Sequence, residues 1–415
     1  MHIATLDILR CPYCGGRLEL VSSLYLRRDG PDIQDGILGC HCCIFPIVSG
    51  IPILHLQPPA VDARERMAAG EPEAARRLAL GLRDEARAAA FDASASSATA
   101  TYRDLVEALG PDFEGGYFLY RFSDPTYVVA EAVVRSVAGT LLRHDGRAID
   151  LCGGSGHLTR LLVDLSTPAP VLADLYFAKL WLAKRFMAPG AEAVCCDANA
   201  PLPFARGAFR LTVCSDAFQY VWTKRQAVGE MARLVDSGSE PGAVLIGHTH
   251  NQRQWSPSHG QALPPEGYRD LFETLPPRLF GEAALLADVV EDGPLDLSRN
   301  QPAEQLDADP ALTIIATRRA DVFVPHALEH PGPPRGELRI NPLYEIEQAD
   351  DRTLLRLRFP SADYEDEYGA CRQYLPETAL LDRGDLAEIH AGRVPAHLAE
   401  LRRRRVILDL PQRYY

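Results

Sequence analysis

Between residues 147 and 250, short apolar runs alternate with segments of helical periodicity. The first four runs each end in an acid, and these acids are Asp150, Asp174, Asp197 and Asp216. Strands that alternate with helices predict a parallel sheet covered on both faces, whose ligands bind beyond the carboxyl ends of the strands. One aspartate at that edge is explained by helix capping, but four in succession indicate a ligand site.

A glycine-rich turn, Cys152–Gly156, follows the first of these acids. A dinucleotide-binding turn would need the pattern G-x-G-x-x-G, but Thr159 stands where the third glycine belongs. A phosphate-binding P-loop would need Gly-Lys-Ser/Thr, which the turn lacks. A carboxylate ahead of the glycines would repel a pyrophosphate, so the turn suits a cationic or amine-bearing ligand.

This block resembles the class I S-adenosylmethionine-dependent methyltransferases, whose first motif is an acid followed by a glycine-rich loop. The resemblance implies S-adenosylmethionine as cofactor, Asp174 as the ribose-binding acid and Asp197 as a contact of the adenine amine. Ser215 matches the segment that faces the sulfonium and the acceptor. The cofactor-binding residues that it implies are Asp150, Cys152, Gly153, Gly154, Gly156, Asp174, Leu175, Asp197, Ala198 and Ser215. Two residues depart from the family pattern, Cys152 in place of a loop glycine and Arg210 in place of an aspartate before the fourth strand.

Two histidines, His248 and His250, end the fifth strand at the edge where the site should open. Strand alternation predicts both side chains on the same face. The methyl group of a sulfonium is already activated, so a base is needed only if the acceptor arrives protonated. We predict His250 and His248 as candidate general bases, with ordinary loop histidines as the alternative. His157, at the start of the helix after the glycines, is predicted to cap that helix, with a contact to the cofactor carboxylate as the alternative.

Two C-x2-C pairs lie near the start of the chain, and they are formed by Cys11, Cys14, Cys40 and Cys43. Paired cysteines at this spacing are typical of a four-thiolate zinc site, which predicts bound Zn2+. Cys42 and His41 are further donors, so the second pair is ambiguous by one position, and the repeated spacing favours Cys43. The alternative is four buried thiols without a metal.

The residues around the cysteines include a leucine-rich lead and the segments Phe45–Ile47 and Gly50–Pro52. They resemble the small zinc-ribbon proteins that activate tRNA, rRNA and release-factor methyltransferases. We therefore predict an α/β protein with a Rossmann-like, mostly parallel, seven-stranded methyltransferase sheet, an N-terminal zinc ribbon and a C-terminal α+β extension. The predicted segments are a zinc ribbon at 1–57, a helical connector at 58–100, the methyltransferase domain at 101–320 and the extension at 321–415.

Within the connector, Gly70 and Pro72 are expected to divide the helix, and the Ala- and Ser-rich residues 93–100 to form a flexible or loosely packed join. In the extension, residues 337–361 alternate like a β-hairpin with Asp350 and Asp351 at its turn.

The net charge of −13, from 43 basic and 56 acidic residues, disfavours nucleic acid as a partner. No apolar run approaches the roughly 18 residues that span a bilayer, and the first residues do not resemble a signal peptide, so we expect a cytoplasmic protein without membrane contact. The predicted function is methyl transfer to an oxygen or nitrogen of a small organic, biosynthetic acceptor. The alternatives are an RNA or protein methyltransferase and a non-catalytic scaffold; a homo-oligomer is left open.

Overall fold

The computed structural model describes residues 1–110, 117–143, 145–238, 241–256, 260–328, 332–349 and 352–415. The N-terminal segment, residues 1–57, contains a small antiparallel sheet in which the long strand β3 pairs with three neighbours. Its strands are β1 (Glu19–Leu20), β2 (Arg27–Asp29), β3 (Asp32–Gly39), β4 (Ile44–Val48) and β5 (Ile51–Pro52). The two cysteine pairs flank β3, so this sheet sets their positions.

The connector is helical, as predicted. Its helices are α1 (Pro58–Ala68), α2 (Pro72–Ala79), α3 (Glu85–Ser96) and α4 (Tyr102–Leu109). Gly70 and Pro72 separate α1 from α2, because Gly70 has a left-handed φ of +79° and Pro72 lies at the start of α2. The expectation of a loose join at 93–100 is wrong. Ala95 is buried, and its carbonyl accepts from Arg185 Nη2 over 2.6 Å, because the small side chains leave the backbone accessible.

Seven strands of the described residues form the central sheet, in the spatial order β11-β13-β10-β9-β6-β7-β8. The strands that follow the connector are β6 (Ala148–Leu151), β7 (Val171–Asp174), β8 (Glu192–Cys195), β9 (Leu211–Ser215), β10 (Ala243–His250), β11 (Pro277–Gly281), β12 (Leu295–Asp296) and β13 (Ala311–Thr317). The helices are α5 (Pro125–Leu141), α6 (His157–Leu165), α7 (Phe177–Leu182), α8 (Lys224–Leu234), α9 (Pro265–Arg269) and α10 (Glu282–Val290). Strands β6 to β10 are mutually parallel, and β13 is antiparallel to both neighbours.

This arrangement confirms the predicted mostly parallel sheet. The strands are buried along their length, as expected when helices cover both faces. The edge strand β11 lies in a proline-rich stretch in which no strand was predicted. All the parallel strands end at one edge, so the residues that follow them share a site.

The N-terminal sheet docks on the other edge strand, β8. Ile53 pairs with Cys195 in a parallel bridge, and the amide of Leu54 donates to the Cys195 carbonyl over 2.7 Å. Leu9 and Phe45 share one hydrophobic cluster with Phe204 of the central domain. The N-terminal segment is therefore part of a common core.

The C-terminal extension mixes short strands and helices, as predicted. They are β14 (Pro325–His326), β15 (Glu337–Ile340), β16 (Tyr344–Ala349), β17 (Arg352–Leu357), α11 (Ala362–Tyr368), β18 (Thr378–Asp382), α12 (Asp385–His390), α13 (Ala399–Arg403) and β19 (Ile407–Leu410). Strands β16 and β17 pair as the predicted hairpin, whose turn residues Asp350 and Asp351 lie outside the described residues. Near the chain's last residue, Tyr414 stacks on Tyr102 at 5.0 Å between ring centroids. Across the described ranges, no helix has both the length and the apolar character needed to cross a membrane.

Candidate active site

A glycine-rich loop joins β6 to α6 and brings two predicted acids together. Residue 153 must be glycine, because a Cβ there would lie 2.6 Å from Cγ of Asp150. The amide of Gly154 donates to Asp174 Oδ2 over 3.0 Å. Gly156 has a left-handed φ of +84° immediately before α6. The loop is therefore held against the ends of β6 and β7.

The two acids beside this loop have different surroundings. Asp150 is buried and accepts from the hydroxyl of Thr159 over 2.6 Å, and burial raises its pKa to about 7. Asp174 Oδ1 accepts from the amide of Tyr176 over 2.8 Å. Each carboxylate oxygen has two lone pairs, so Asp174 keeps acceptor capacity toward a ligand. Asp150 is therefore buried under the loop, whereas Asp174 could still accept hydrogen bonds from a ligand.

Asp197 follows β8, next to the buried Ala198, and lies where the N-terminal segment meets the central domain. Its Oδ1 accepts from the amide of Asn199 over 2.8 Å, and its Oδ2 accepts from Gln57 Nε2 over 3.2 Å. Tyr13 and Gln57 face Asp197 across a groove of about 270 Å³. The N-terminal segment therefore contributes a wall beside a predicted cofactor-binding acid.

Aromatic side chains cover the glycine loop. A Cβ on Gly154 would lie 3.4 Å from Phe118 Cζ, and Lys179 Nζ lies 5.1 Å from the centre of the Phe118 ring. His157 is buried beneath Phe118, with 5.7 Å between ring centroids, and its Nε2 lies 3.1 Å from the Tyr414 hydroxyl. Burial lowers the pKa of His157 to about 3. The prediction that His157 caps α6 is wrong, since the ring is part of an aromatic core.

Asp216, after β9, is the centre of a polar cluster at the same edge. It has a left-handed φ of +54°, and its Oδ2 accepts from Arg121 Nη1 over 2.7 Å. Its Oδ1 accepts from Gln219 Nε2 over 3.3 Å. Arg121 also lies 3.4 Å from the buried Asp124. Burial acts to raise the pKa of Asp216, but Arg121 and the nearby histidines outweigh burial and lower it.

His248 and His250 complete the cluster, and their rings lie 5.3 Å apart at the centroids. Alternation along the strand predicted both side chains on one face, but the approach of the two rings does not arise from regular alternation. The pairing of β10 with β13 shifts register between Ile246 and Thr249, a span that includes His248, and His248 has a left-handed φ of +45°. His248 Nδ1 lies 2.6 Å from Glu282 Oε2, and His250 Nδ1 lies 2.7 Å from Ser256 Oγ.

The two imidazoles have opposite pKa shifts. Burial acts to lower the pKa of His248, but Glu282 and Asp216 outweigh it and raise the value to about 9. Burial and the neighbouring His248 lower the pKa of His250. The cluster therefore contains one charged and one neutral imidazole near pH 7.

The cysteines of the N-terminal segment form a second donor cluster. The Sγ of Cys42 lies 3.6 Å from both Cys11 and Cys40, and Cys14 lies 3.7 Å from Cys40. A tetrahedral zinc site with Zn–S bonds of about 2.3 Å has sulfur–sulfur edges of about 3.8 Å. The spacing therefore fits a four-thiolate zinc site of Cys11, Cys14, Cys40 and Cys42.

The sequence spacing predicted Cys43 as the fourth ligand, but the structure places Cys42 in the group. The carbonyl of Cys43 accepts from the amide of Cys40 over 3.0 Å, which closes the turn. The Cys43 side chain packs against the apolar core, whereas Cys42 is exposed at the tip of the turn. Its sulfur is 3.4 Å from that of Cys42, so it is a neighbour of the cluster.

Residues 149–240 match a family model described as a methyltransferase domain. The central domain is a methyltransferase domain. The match covers the glycine loop and the four strand-end acids, and it confirms the predicted methyltransferase domain. The comparison with curated proteins finds no match.

Several solved structures are similar to the methyltransferase domain. The YcgJ protein of Bacillus subtilis is 17% identical and covers 46% of this chain and 99% of that chain, with a TM-score of 0.32. Geranyl diphosphate C-methyltransferase of Streptomyces coelicolor, in complex with Mg2+, geranyl-S-thiolodiphosphate and S-adenosyl-L-homocysteine, is 16% identical over 44% of this chain and 75% of that chain, with a TM-score of 0.33. A chain from the complex between the Haloferax volcanii Trm112 methyltransferase activator and a methyltransferase is 17% identical. The match covers 49% of this chain and 99% of that chain, with a TM-score of 0.32. At these TM-scores the similarities carry no argument about this chain.

The methyltransferase domain has features that fit the predicted cofactor. The glycine loop leaves room where a side chain would collide. Ser215 Oγ is buried and has no hydrogen-bond partner among the described residues, so its hydroxyl can form a hydrogen bond with a ligand. Cys152, which replaces a loop glycine, adopts a left-handed φ of +58° and is half-buried. Leu175 is also half-buried, directly after Asp174.

Sequence reasoning missed three contributors to this edge of the methyltransferase domain. Glu282 follows the edge strand β11 directly, the same acid-after-strand signal that marked Asp216, but the strand itself was not predicted. Arg121 lies in an aromatic segment and gives no signal of its own. Gln57 reaches Asp197 from 140 residues away.

Proposed function

We propose that this chain transfers the methyl group of S-adenosylmethionine to an oxygen or nitrogen of a small organic acceptor. The observation that carries the proposal is a convergence at one edge of the sheet. The glycine loop, Asp174 and Asp197 lie on one side of that edge, and Asp216, His248 and His250 lie on the other. A cofactor on the first set of residues would place its reactive end toward the second set.

The residues that would hold the cofactor follow from this placement. Asp174 would accept from the ribose hydroxyls, a bidentate arrangement that fixes a nucleoside. Asp197 and Ala198 would border the adenine, and Gly153 and Gly154 would let the methionine moiety approach the backbone. When bound, the cofactor supplies a methyl group on a sulfonium that needs only an aligned nucleophile.

The acceptor would lie beside the polar cluster, under the aromatic segment Tyr117–Ser123 and the C-terminal extension. Tyr374 of the extension donates its hydroxyl to the carbonyl of Ser123 over 2.7 Å, so the extension is anchored to that segment. Glu367 of α11 lies within electrostatic range of Asp216 and His248. The acidic surroundings support an uncharged or cationic small acceptor, because they would repel a polyanion. His250 and His248 stay our sequence candidates for the group that receives the acceptor's proton.

The first test is calorimetric titration of S-adenosyl-L-homocysteine into the zinc-loaded chain. We expect micromolar binding by the wild-type protein, followed by methyl transfer from labelled S-adenosylmethionine to one member of a panel of small hydroxyl and amine acceptors. Binding that is absent at millimolar ligand would overturn the proposal and favour a scaffold. Methylation of total RNA or protein, with no small acceptor labelled, would overturn the acceptor class.

A further inference from the structure

Three potential metal ligands meet at the acceptor side of the edge. One carboxylate oxygen of Asp216 and one nitrogen each of His248 and His250 all lie within 4.8 Å of one another. We propose that these three side chains bind a divalent transition-metal ion. Two imidazoles and one carboxylate are ligands that suit ions of the zinc, iron, cobalt and nickel type better than magnesium or calcium.

The orientation of His248 supports this proposal. Its Nδ1 is engaged by Glu282 Oε2 at 2.6 Å, which leaves Nε2 facing Asp216 Oδ1 at 4.0 Å. Glu282 is itself fixed, because it accepts from the His248 amide over 2.7 Å and from the Thr313 hydroxyl over 2.8 Å. A carboxylate on the far nitrogen of a histidine is the usual support of a metal-bound imidazole.

His250 and Asp216 are oriented in a similar way. His250 Nδ1 lies 2.7 Å from Ser256 Oγ, which leaves the other ring nitrogen available to an ion. Asp216 uses its two oxygens separately, with Oδ2 on Arg121 and Oδ1 on the side of His248. The ion pair with Arg121 therefore fixes the carboxylate through Oδ2. Among the described residues, Oδ1 accepts only the 3.3 Å hydrogen bond from Gln219 Nε2 and keeps a second lone pair for a metal.

The charge of the surroundings also favours a cation. Asp124, Asp216 and Glu282 place three carboxylates in or beside the cluster, and the guanidinium of Arg121 offsets one of them. Imidazole ligands must be neutral, so a bound ion would displace the proton that His248 carries. Two negative charges then remain in a half-buried to buried site. Uncompensated buried charge is costly, and a divalent ion would balance it.

This inference rests on the proposed function and sharpens its acceptor class. Three protein ligands leave coordination positions open, as in catalytic metal sites. An acceptor with a hydroxyl group would bind there through oxygen, and the ion would lower the pKa of that hydroxyl, so that its proton would leave to water. The oxygen would then take the methyl group as the carbon–sulfur bond breaks, which would release S-adenosyl-L-homocysteine. The two histidines then act as ligands, and the ion replaces an imidazole in activating the acceptor.

The test is titration of Co2+ into the full, zinc-loaded chain, followed by visible absorption and metal analysis. We expect one equivalent of cobalt in addition to the ribbon zinc, without thiolate charge-transfer bands, since these would show cobalt on the cysteines. His250→Ala and Asp216→Asn should weaken this binding at least tenfold. The matched control, His390→Ala, removes an exposed histidine of α12 and should bind cobalt like the wild type.

Two results would overturn the metal site: no cobalt bound by the wild-type chain, or unchanged affinity in both variants. Because a variant can misfold, water-proton relaxation with Mn2+ on the wild-type chain gives a second measurement. A bound ion with open positions should enhance relaxation, and no enhancement would contradict the site. If the chain bound S-adenosyl-L-homocysteine but no cobalt, the metal site alone would be rejected. If it bound cobalt but no S-adenosyl-L-homocysteine, the proposed function alone would be rejected.

Discussion

The molecule contains two donor clusters, and they differ in how the chain builds them. The cysteine cluster uses two tight turns that flank β3, and its ligands span 32 residues from Cys11 to Cys42. The polar cluster takes Asp216 from β9 and two histidines from β10, and it depends on Glu282 and Arg121 from still other elements. A metal site made of turns is visible in the sequence, whereas one made of strand ends exists only after the sheet has formed.

The largest expected effect separates the two candidate ligand sets of the cysteine cluster. Cys42→Ser should lose the zinc, whereas Cys43→Ser should keep it, because the sulfur of Cys42, and not that of Cys43, belongs to the group of four sulfurs that lie within 4.8 Å of one another. Apparent zinc affinities in small zinc domains are worth about 10–16 kcal/mol, so the melting temperature should fall sharply with the metal. Metal analysis and calorimetric unfolding measure both effects. Zinc lost from Cys43→Ser but retained by Cys42→Ser would restore the ligand set predicted from the spacing.

The next effect tests whether the extension is part of the central core. Tyr414 is buried between Tyr102 and His157, and it donates its hydroxyl to the Phe118 carbonyl over 2.6 Å. Tyr414→Ala should lower the free energy of unfolding by about 3–5 kcal/mol, as deletion of a buried aromatic ring does. The exposed Trp222 is the control, and Trp222→Ala should change stability by about 0.5 kcal/mol or less. Equal effects from both variants, measured by denaturant unfolding, would mean that the extension packs on the core without stabilising it.

A third effect concerns the cofactor side of the edge. Asp174→Asn should weaken S-adenosyl-L-homocysteine binding by more than tenfold, because hydrogen bonds to a charged group contribute about 1.5–3 kcal/mol each. Asp164→Asn changes a more exposed aspartate of α6 and serves as the control. Calorimetric titration of both variants measures the ratio. An unchanged affinity in Asp174→Asn would remove this residue from the cofactor site.

The same contrast explains how much the sequence could predict. The strands β6 to β10 were visible because buried parallel strands are short apolar runs, and their ends gave Asp150, Asp174, Asp197 and Asp216. The edge strand β11 was not visible, because it is short, follows Pro276 and begins with Pro277. Glu282 was missed for that reason, and with it the orientation of His248.

Long-range packing was the second source of error. His157 has the sequence position of a helix cap, and only the approach of Tyr414, 257 residues further on, shows that it is a buried aromatic contact. Cys42 and Cys43 are adjacent in sequence, and the choice between them depends on which sulfur the β3–β4 turn brings close to Cys11, Cys14 and Cys40. Residue types predicted the chemistry of both sites, whereas the partners that orient those residues required the fold.

The smallest effect tests the contact between the zinc ribbon and the methyltransferase domain. Gln57 donates to Asp197 across the boundary between the zinc ribbon and the methyltransferase domain. Gln57→Ala should weaken S-adenosyl-L-homocysteine binding only about two- to fivefold, because the bond is partly exposed and orients Asp197 without replacing it. Gln57→Glu should weaken it further, since a second carboxylate beside Asp197 would repel it, and the exposed Gln305→Ala is the control. If Gln57→Glu bound the ligand like the wild type, Asp197 would not face the adenine, and the ribbon would affect this site only through the shared core.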